Sequence, residues 1–332
     1  MRKFLIGSDE AVEAALNGVI AVHPASIERV EGHFGVVYRG NKNRRVKIVV
    51  GGGSGHEPLF LGAVGPGMAD GAVAGAIFAA PNPTSILAVS EAVGAKEGVL
   101  LLYGNYSGDV LNFGFAAEEG AAKGLKIGEL RVHDDIASAP FAQMEERRGT
   151  AGDIFVFKCA AAAADSGASF DEVVRLAESA NRRTRSLGVA LQAASSVETG
   201  KPMFDLPVGQ MEVGMGLHGE MGVRRSDFEP AVTLVPHMVE LILEDIKASG
   251  IEPKQAAVLV NGLGSTTILE LLAVAGLARK EIAAAGIDVG YFGAGPFATS
   301  LDMAGFSITI SALDEELRPL LDAPCQSVAF SK

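Results

Sequence analysis

A short run of mostly β-branched side chains, Val46–Val50, passes directly into the glycine-rich segment 51–58 (GGGSGHEP). The apolar run predicts a buried strand, and nine of the 25 residues from position 51 to position 75 are glycine. Glycine lets backbone N–H groups approach a ligand closely, at an entropic cost that a simple connector seldom requires. The segment therefore predicts a ligand-binding loop that presents His56, with a plain structural turn as the alternative.

Three known glycine-loop chemistries do not match this segment. A phosphate-binding P-loop needs a lysine after its glycines, and the dinucleotide fingerprint needs a glycine where His56 stands. A nucleophile elbow centred on Ser54 lacks its last glycine, which leaves an unrelated α/β hydrolase as a minor alternative.

Strand-like and helix-like segments alternate along the chain, a pattern typical of α/β architecture. We expect two α/β domains, residues 1–185 and 186–332, each with a largely parallel or mixed sheet flanked by helices. The elements predicted for the first domain are helices from a Ser8 cap to Val22, over Pro83–Ala92, over 109–123 and over Asp153–Ser186, and strands at Val46–Val50, Val99–Tyr103 and Ile127–Val132. The strands predicted for the second are 189–193, 210–215, 256–260, 287–292 and 306–311.

Composition excludes several classes of protein. With 28 Lys and Arg against 40 Asp and Glu, the formal charge is −12, which argues against a nucleic-acid partner. No apolar run has the length of a membrane span or a signal peptide, and the basic run 181–185 is predicted to be a solvated helix end. Cys159 and Cys325 are too few for a disulfide framework, and Cys159 is predicted to lie in the core. We expect a soluble cytoplasmic chain.

Two further glycine-flanked loops carry candidate reactive groups. Segment 104–109 (GNYSGD) follows a predicted strand and presents Asp109, for which a helix cap is the alternative interpretation. Segment 214–222 (GMGLHGEMG) presents His218 between glycines. The H-x-E pattern from His218 to Glu220 lacks the P-C-x-x-C partner of zinc deaminases, so we predict no metal site.

Several motifs in the same order make a family resemblance specific. The chain resembles the substrate-binding subunit of dihydroxyacetone kinases over nearly its whole length, through segments 51–58, 105–113, 214–220, 261–265 and 300–309. The resemblance implies two α/β domains, usually in a homodimer, and a short-chain ketose as the substrate. It also implies that this chain binds no cofactor, because the nucleotide and its Mg²⁺ belong to a separate helical kinase subunit.

The same resemblance implies roles for individual residues. His218 is similar to the histidine that forms a covalent hemiaminal with the ketone carbon of the substrate. Asp109 is similar to the general base for the hydroxyl that receives the phosphoryl group, and His56 to the residue that hydrogen-bonds the substrate and assists proton transfer. Backbone groups of Gly53, Ser54 and Gly55 are expected to line the pocket.

Three positions depart from the family pattern. Gly104 stands where the family often has lysine, Ala80 where it often has serine, and Met221 where it commonly has proline. Because the first two changes remove polar side chains near the expected pocket, we predict a substrate other or broader than dihydroxyacetone, such as erythrulose. A ketose sensor that acts on a transcription regulator is the alternative function, although Asp109 and His56 favour an enzyme. The phosphoryl donor, ATP or a phosphotransferase-system protein, stays open.

Overall fold

A computed structural model describes residues 3–4, 7–41 and 43–332, and these residues form two six-stranded sheets. The first sheet has the order β1-β2-β4-β3-β5-β6, in which the last four strands are mutually parallel and β1 and β2 are antiparallel. Its strands are β1 Ile27–Arg29, β2 Gly35–Tyr38, β3 Val46–Ser54, β4 Gly71–Ile77, β5 Gly98–Gly104 and β6 Ile127–Val132.

The second sheet is mostly antiparallel and has the order β11-β10-β12-β7-β8-β9, with β10 and β11 as its parallel pair. Its strands are β7 Thr184–Gln192, β8 Gln210–Val213, β9 Arg224–Asp227, β10 Gln255–Gly262, β11 Asp288–Gly295 and β12 Ala304–Leu313. One largely parallel sheet and one mixed sheet, both flanked by helices, confirm the predicted α/β fold class.

A side-chain cap defines the start of helix α2, Pro83–Ala92. Asn82 accepts a hydrogen bond from the backbone N–H of Thr84, and Pro83 opens the helix as predicted. The predicted Ser8 cap is wrong, because Gly7 holds the cap position and Ser8 is already helical.

None of the described helices is long and apolar enough to cross a membrane. The helices are α1 Ser8–Val22, α2 Pro83–Ala92, α3 Ser107–Ala122, α4 Asp153–Asp165, α5 Phe170–Arg183, α6 Ala231–Ala248, α7 Ile268–Ala284 and α8 Leu317–Asp322.

The predicted continuous helix Asp153–Ser186 is wrong. The chain breaks after α4, and Ser169 caps a new helix by accepting a hydrogen bond from the backbone N–H of Glu172. Strand β7 then starts at residue 184, so the basic run is not a solvated helix end throughout. The Arg185 side chain is fully buried, and its Nε donates to Asp245 at 2.6 Å.

Helix α4 lies in a core that both sheets share. A single cluster of buried apolar side chains includes Leu102 of the first sheet, Phe155 of α4 and Leu259 of the second sheet. Cys159, on the same helix, is 2% exposed, which confirms its predicted place in the core. The predicted division of the chain at residue 185 stays a prediction.

Candidate functional site

The three glycine-rich loops meet in one pocket. The loops follow strands β3, β5 and β8, and the first two leave neighbouring parallel strands at their carboxyl ends. The pocket is lined by His56, Asp109 and His218, so the structure brings together the three reactive residues that the sequence singled out.

The ring of His56 is buried and held in one orientation. It is 3% exposed, and its Nδ1 lies 2.8 Å from the Thr299 carbonyl, an acceptor that assigns the proton to Nδ1. Phe78 stacks on the imidazole with a centroid separation of 5.0 Å. Burial, and after it the neighbouring charge of His218, lower the pKa of His56 to about 3, against the raising effects of the Thr299 carbonyl and Glu220.

The ring of His218 lies between His56 and a carboxylate. Its Nδ1 is 3.0 Å from Oε1 of Glu220, and the other carboxylate oxygen accepts the backbone N–H of His218 at 3.0 Å. Its Nε2 is 3.0 Å from Nε2 of His56. Burial raises the pKa of Glu220, but the hydrogen bond and charge of His218 outweigh it and bring that pKa to about 2. Glu220 is thus an ionised partner that orients the imidazole, a role that sequence reasoning missed because it tested the H-x-E pattern only for zinc.

Aromatic rings enclose the histidine pair. The Tyr106 ring meets His218 edge to face at 4.6 Å, and Phe60 meets His56 in the same way at 6.5 Å. Phe60 and Phe78 have φ angles of 63° and 57°, a backbone region that is costly for residues other than glycine. Such strain persists only where the surroundings enforce it, and here it places both rings against His56.

Asp109 lies in the first turn of α3, with its side chain turned into the protein. The residue at the cap position is Tyr106, so the helix-cap interpretation of Asp109 is wrong. The carboxyl is 7% exposed, and its Oδ1 is buried with no hydrogen-bond partner. Burial raises the pKa of Asp109 to about 7, against the lowering effect of the His218 charge. A carboxylate that titrates near neutral pH is suited to general base catalysis.

Two further polar groups at the pocket were not predicted. Asp153, the first residue of α4, is 1% exposed, and its Oδ1 has no partner. The buried hydroxyl of Tyr106 also has none. Burial raises the pKa of the Asp153 carboxyl well above its ordinary value, and the nearby Asp134 and Asp109 raise it further. An aspartate at the start of an apolar helix is normally explained by the helix dipole, which hid this signal in the sequence.

Of the three residues predicted to contact the substrate through their backbone, only Gly53 lines the pocket. A Cβ on Gly53 would lie 2.9 Å from the backbone nitrogen of Ala79, so the close approach of these segments requires glycine. The Ser54 hydroxyl instead donates to the Gly75 carbonyl at 2.7 Å. The carbonyl of Gly55 accepts the backbone N–H of Leu301 at 2.8 Å. Since neither Ser54 nor Gly55 is among the lining residues, their substrate contacts stay a prediction.

The departures from the family pattern lie at different distances from the pocket. Gly104 lines it, whereas Ala80 packs beside Gly108, one residue before Asp109. Met221 is 83% exposed. In the described part of the chain, no three His, Cys, Asp or Glu side chains are grouped as a metal site would require.

Comparison with known proteins identifies the family of this chain. The model of the Dak1 domain matches residues 17–329. The dihydroxyacetone-binding subunit DhaK of PTS-dependent dihydroxyacetone kinase 2 from Listeria innocua is 41% identical, over 99% of each chain. The D-erythrulose kinase of Mycolicibacterium smegmatis is 42% identical over 93% of this chain, which spans only 53% of that enzyme.

Among solved structures, the dihydroxyacetone kinase operon co-activator Dha-DhaQ is similar, with a TM-score of 0.90 and 30% identity over 96% of this chain and 98% of that one. The family model covers nearly the whole chain, and the Listeria subunit aligns from end to end. The chain therefore belongs to the Dak1 domain family.

Proposed function

We propose that this chain is the substrate-binding subunit of a ketose kinase, which holds a short-chain ketose on His218 while a partner subunit supplies the phosphoryl group. The observation that carries the proposal is the geometry of His218. Its Nδ1 is engaged by Glu220, and its Nε2 is directed at His56 in the pocket. Relatives named as a dihydroxyacetone-binding kinase subunit and as an erythrulose kinase support this assignment.

The covalent step begins from a shared proton. Each imidazole carries a proton on Nδ1, so the 3.0 Å contact between the two Nε2 atoms requires one further proton between them. Burial and the charge of His218 lower the pKa of His56 to about 3, so His56 does not hold this proton before the substrate enters. The ionised Glu220 balances the charge.

Addition of the ketone then balances in atoms and charge. When the substrate enters, the proton moves to His56, and the freed Nε2 lone pair of His218 attacks the carbonyl carbon. The N–C bond forms as the C=O π bond breaks, and His56 returns its proton to the oxygen to give a hydroxyl. His218 becomes a substituted imidazolium, whose charge faces the Glu220 carboxylate. Glycerol and other polyols have no carbonyl and are not trapped.

Asp109 acts in the second step. Once the ketone is anchored, a terminal hydroxyl of the substrate lies within reach of the Asp109 carboxylate, which accepts its proton as the oxygen attacks the phosphoryl group. The unpartnered Oδ1 of Asp109 is the atom available for this contact. We assign the nucleotide and Mg²⁺ to the partner and no cofactor to this chain.

The partner and the oligomer are part of the same proposal. Leu111 and Phe115 are 56% and 52% exposed on α3, the helix that carries Asp109, and they suit the docking of a helical nucleotide-binding subunit beside the pocket. Exposed apolar side chains near the start of α6 and α7 suit a homodimer interface: Val232, Ile268, Leu269 and Leu272. Both cysteines are free and buried, which suits a cytoplasmic location.

A ketose sensor is the second candidate, because the similar solved structure is named as an operon co-activator. A sensor needs the trap on His218 but no general base. The buried carboxylate of Asp109 at the pocket favours the kinase subunit.

The test is to incubate the purified chain with dihydroxyacetone labelled with ¹³C at the carbonyl and to record its NMR spectrum. We expect the ketone signal to be replaced by that of a protein-bound tetrahedral carbon, with no phosphorylation until a kinase partner and donor are added. Phosphorylation by the chain alone, or a ketone signal that the protein leaves unchanged, would refute the proposal.

A further inference from the structure

We propose that Arg148 is a positioning residue for the ketose trap on His218. Its guanidinium group, anchored on Asp135, holds the 214–222 loop in the arrangement in which Glu220 orients the imidazole. The inference rests on the proposed function and adds to it a residue outside the lining of the pocket.

The guanidinium group of Arg148 is buried and anchored on one carboxylate. The side chain is 12% exposed, its Nε donates to Oδ2 of Asp135 at 3.0 Å, and its Nη2 lies 2.8 Å from the same oxygen. The other oxygen of Asp135 accepts the backbone N–H of Ala137 at 3.1 Å. Burial raises the pKa of Asp135 to about 6, against the lowering effect of the Arg148 charge, so the pair is ionised at neutral pH. The guanidinium group therefore has one fixed orientation.

The rest of the guanidinium group faces the 214–222 loop. Nη2 donates to the carbonyl of Gly214 at 3.0 Å, and Nη1 lies 3.8 Å from Oε2 of Glu220. That oxygen is the one that accepts the backbone N–H of His218 at 3.0 Å. A separation of 3.8 Å is an ion pair and not a hydrogen bond, so Arg148 stabilises the ionised carboxylate without replacing the hydrogen bonds that hold the imidazole.

Glycine at position 216 allows the two charged groups to meet. A Cβ on Gly216 would overlap both Oε2 of Glu220 and Nη1 of Arg148. The backbone N–H of Gly216 donates to the carbonyl of Glu220 at 3.0 Å, and its carbonyl accepts the backbone N–H of Gly219 at 3.1 Å. These bonds close the loop around the carboxylate, with no side chain between it and the guanidinium group.

Segment 145–148, which ends in Arg148, also holds the loop that carries Asp109. Asn105 of that loop donates from its Nδ2 to two backbone carbonyl groups of the segment, at 3.1 and 2.8 Å. The segment thus contacts both reactive loops, one through its backbone and the other through the Arg148 side chain. The position of the guanidinium group therefore fixes the trap relative to the general base.

The experiment measures the affinity of the purified chain for dihydroxyacetone by calorimetry in a double-mutant cycle. Arg148→Lys keeps a cation beside Asp135, but a single amino group cannot make all the contacts of the guanidinium group. It should lower the ketose affinity about tenfold. If Arg148 acts through Glu220, the same substitution should lower the affinity only about threefold or less in a Glu220→Gln background.

A second variant tests the same contact without removing a charge. Gly216→Ala places a methyl group between Arg148 and Glu220 and should also lower the affinity, by about threefold or more. The test therefore does not depend on the folding of one variant.

Arg44→Lys is the matched control. The Arg44 side chain is 1% exposed and donates to Asp70 and to the carbonyl of Met68, both at 2.8 Å, so it is another buried guanidinium group held by an aspartate and a backbone carbonyl. None of these three residues lines the pocket. Arg44→Lys should lower the melting temperature, as Arg148→Lys does, but change the ketose affinity by less than about twofold.

The outcomes separate this inference from the proposed function. The positioning role is overturned if Arg148→Lys and Gly216→Ala both bind ketose as the wild-type chain does. Equal losses of affinity in Arg148→Lys and Arg44→Lys, or an equal effect of Arg148→Lys with and without Glu220→Gln, overturn it as well. In each of these cases the adduct on the wild-type chain leaves the proposed function standing. If the wild-type chain forms no adduct, the proposed function is wrong and the positioning role falls with it.

Discussion

The two sides of the pocket differ in how their polar atoms are satisfied. On the histidine side, formed by His56, His218 and Glu220, each imidazole nitrogen and both oxygens of the carboxylate have a partner within 3.0 Å. On the carboxylate side, formed by Asp109, Asp153 and Tyr106, each residue has a buried oxygen with no partner.

The histidine side therefore has its hydrogen bonds in place before a ligand binds, whereas the carboxylate side has buried oxygens that a ligand can pair with. Hydrogen bonds hold the imidazole of His218 in one orientation, so on the histidine side the proposed attack requires only the transfer of the proton between the two Nε2 atoms. The carboxylate side has buried oxygens without a protein partner, which hydroxyl groups of a ligand can pair with. Substitutions on the two sides should therefore fail in different ways.

The largest expected effect is on the histidine side. His218→Ala removes the nucleophile and should abolish the ketose adduct, as measured by intact-protein mass or by ¹³C NMR. His237, which is 55% exposed in its side chain and lies away from the pocket, provides the matched control. An adduct that survives in His218→Ala but not in His237→Ala would reverse the assignment.

Asp109→Asn should separate trapping from phosphoryl transfer. The amide keeps the shape of the side chain but accepts no proton, so turnover with a kinase partner should fall by about 10²- to 10⁴-fold while the adduct still forms. Asp171→Asn, in the first turn of α5 and exposed, is the control and should keep full turnover. Loss of the adduct in Asp109→Asn would mean that the two sides do not act separately.

The pH dependence of turnover should follow the ionisation of the Asp109 carboxyl. The pKa of Asp109 is raised to about 7, and only its ionised form is a base, so kcat/KM should rise with pH and level off above 7. The ionised fraction predicts an increase of about 50-fold between pH 5 and pH 7. Asp109→Asn should lose this rise of kcat/KM with pH. An unchanged pH profile in that variant would assign the titration to another group.

Glu220→Gln should weaken the histidine side without removing the nucleophile. The charge-assisted hydrogen bond to Nδ1 stabilises the imidazolium of the adduct, and its loss should lower ketose affinity by about 10- to 100-fold. Calorimetry measures the effect, with Glu240→Gln on the exposed face of α6 as the control. Equal affinities in the two variants would show that Glu220 does not orient His218.

The smallest effect is expected at Met221. Although this residue departs from the family pattern, its side chain is 83% exposed and belongs to neither side of the pocket. Met221→Ala should change ketose affinity by less than about twofold in the same titration. A larger change would extend the binding site into the end of the 214–222 loop.

Local sequence signals predicted the elements whose ends depend on local chemistry. Helix α2 and strand β6 have the predicted bounds, because Asn82 and Pro83 define a helix start and segment 127–132 (IGELRV) pairs with β5 along its whole length. Strand β3 extends through Ser54, beyond its predicted end, because the glycines continue to pair with β4. The break after α4 was missed because the chain on both sides of it has helical character.

By itself, the sequence determined the α/β fold class and the candidates His56, Asp109 and His218, since strand periodicity and glycine loops are properties of neighbouring residues. Only the tertiary structure decided that the Nε2 atoms of His56 and His218, which are 162 residues apart, lie 3.0 Å from each other. It also decided which polar atoms stay unpaired, as Asp153 illustrates. The physical reason is that hydrogen-bond satisfaction depends on every element packed around an atom, and no local pattern contains that information.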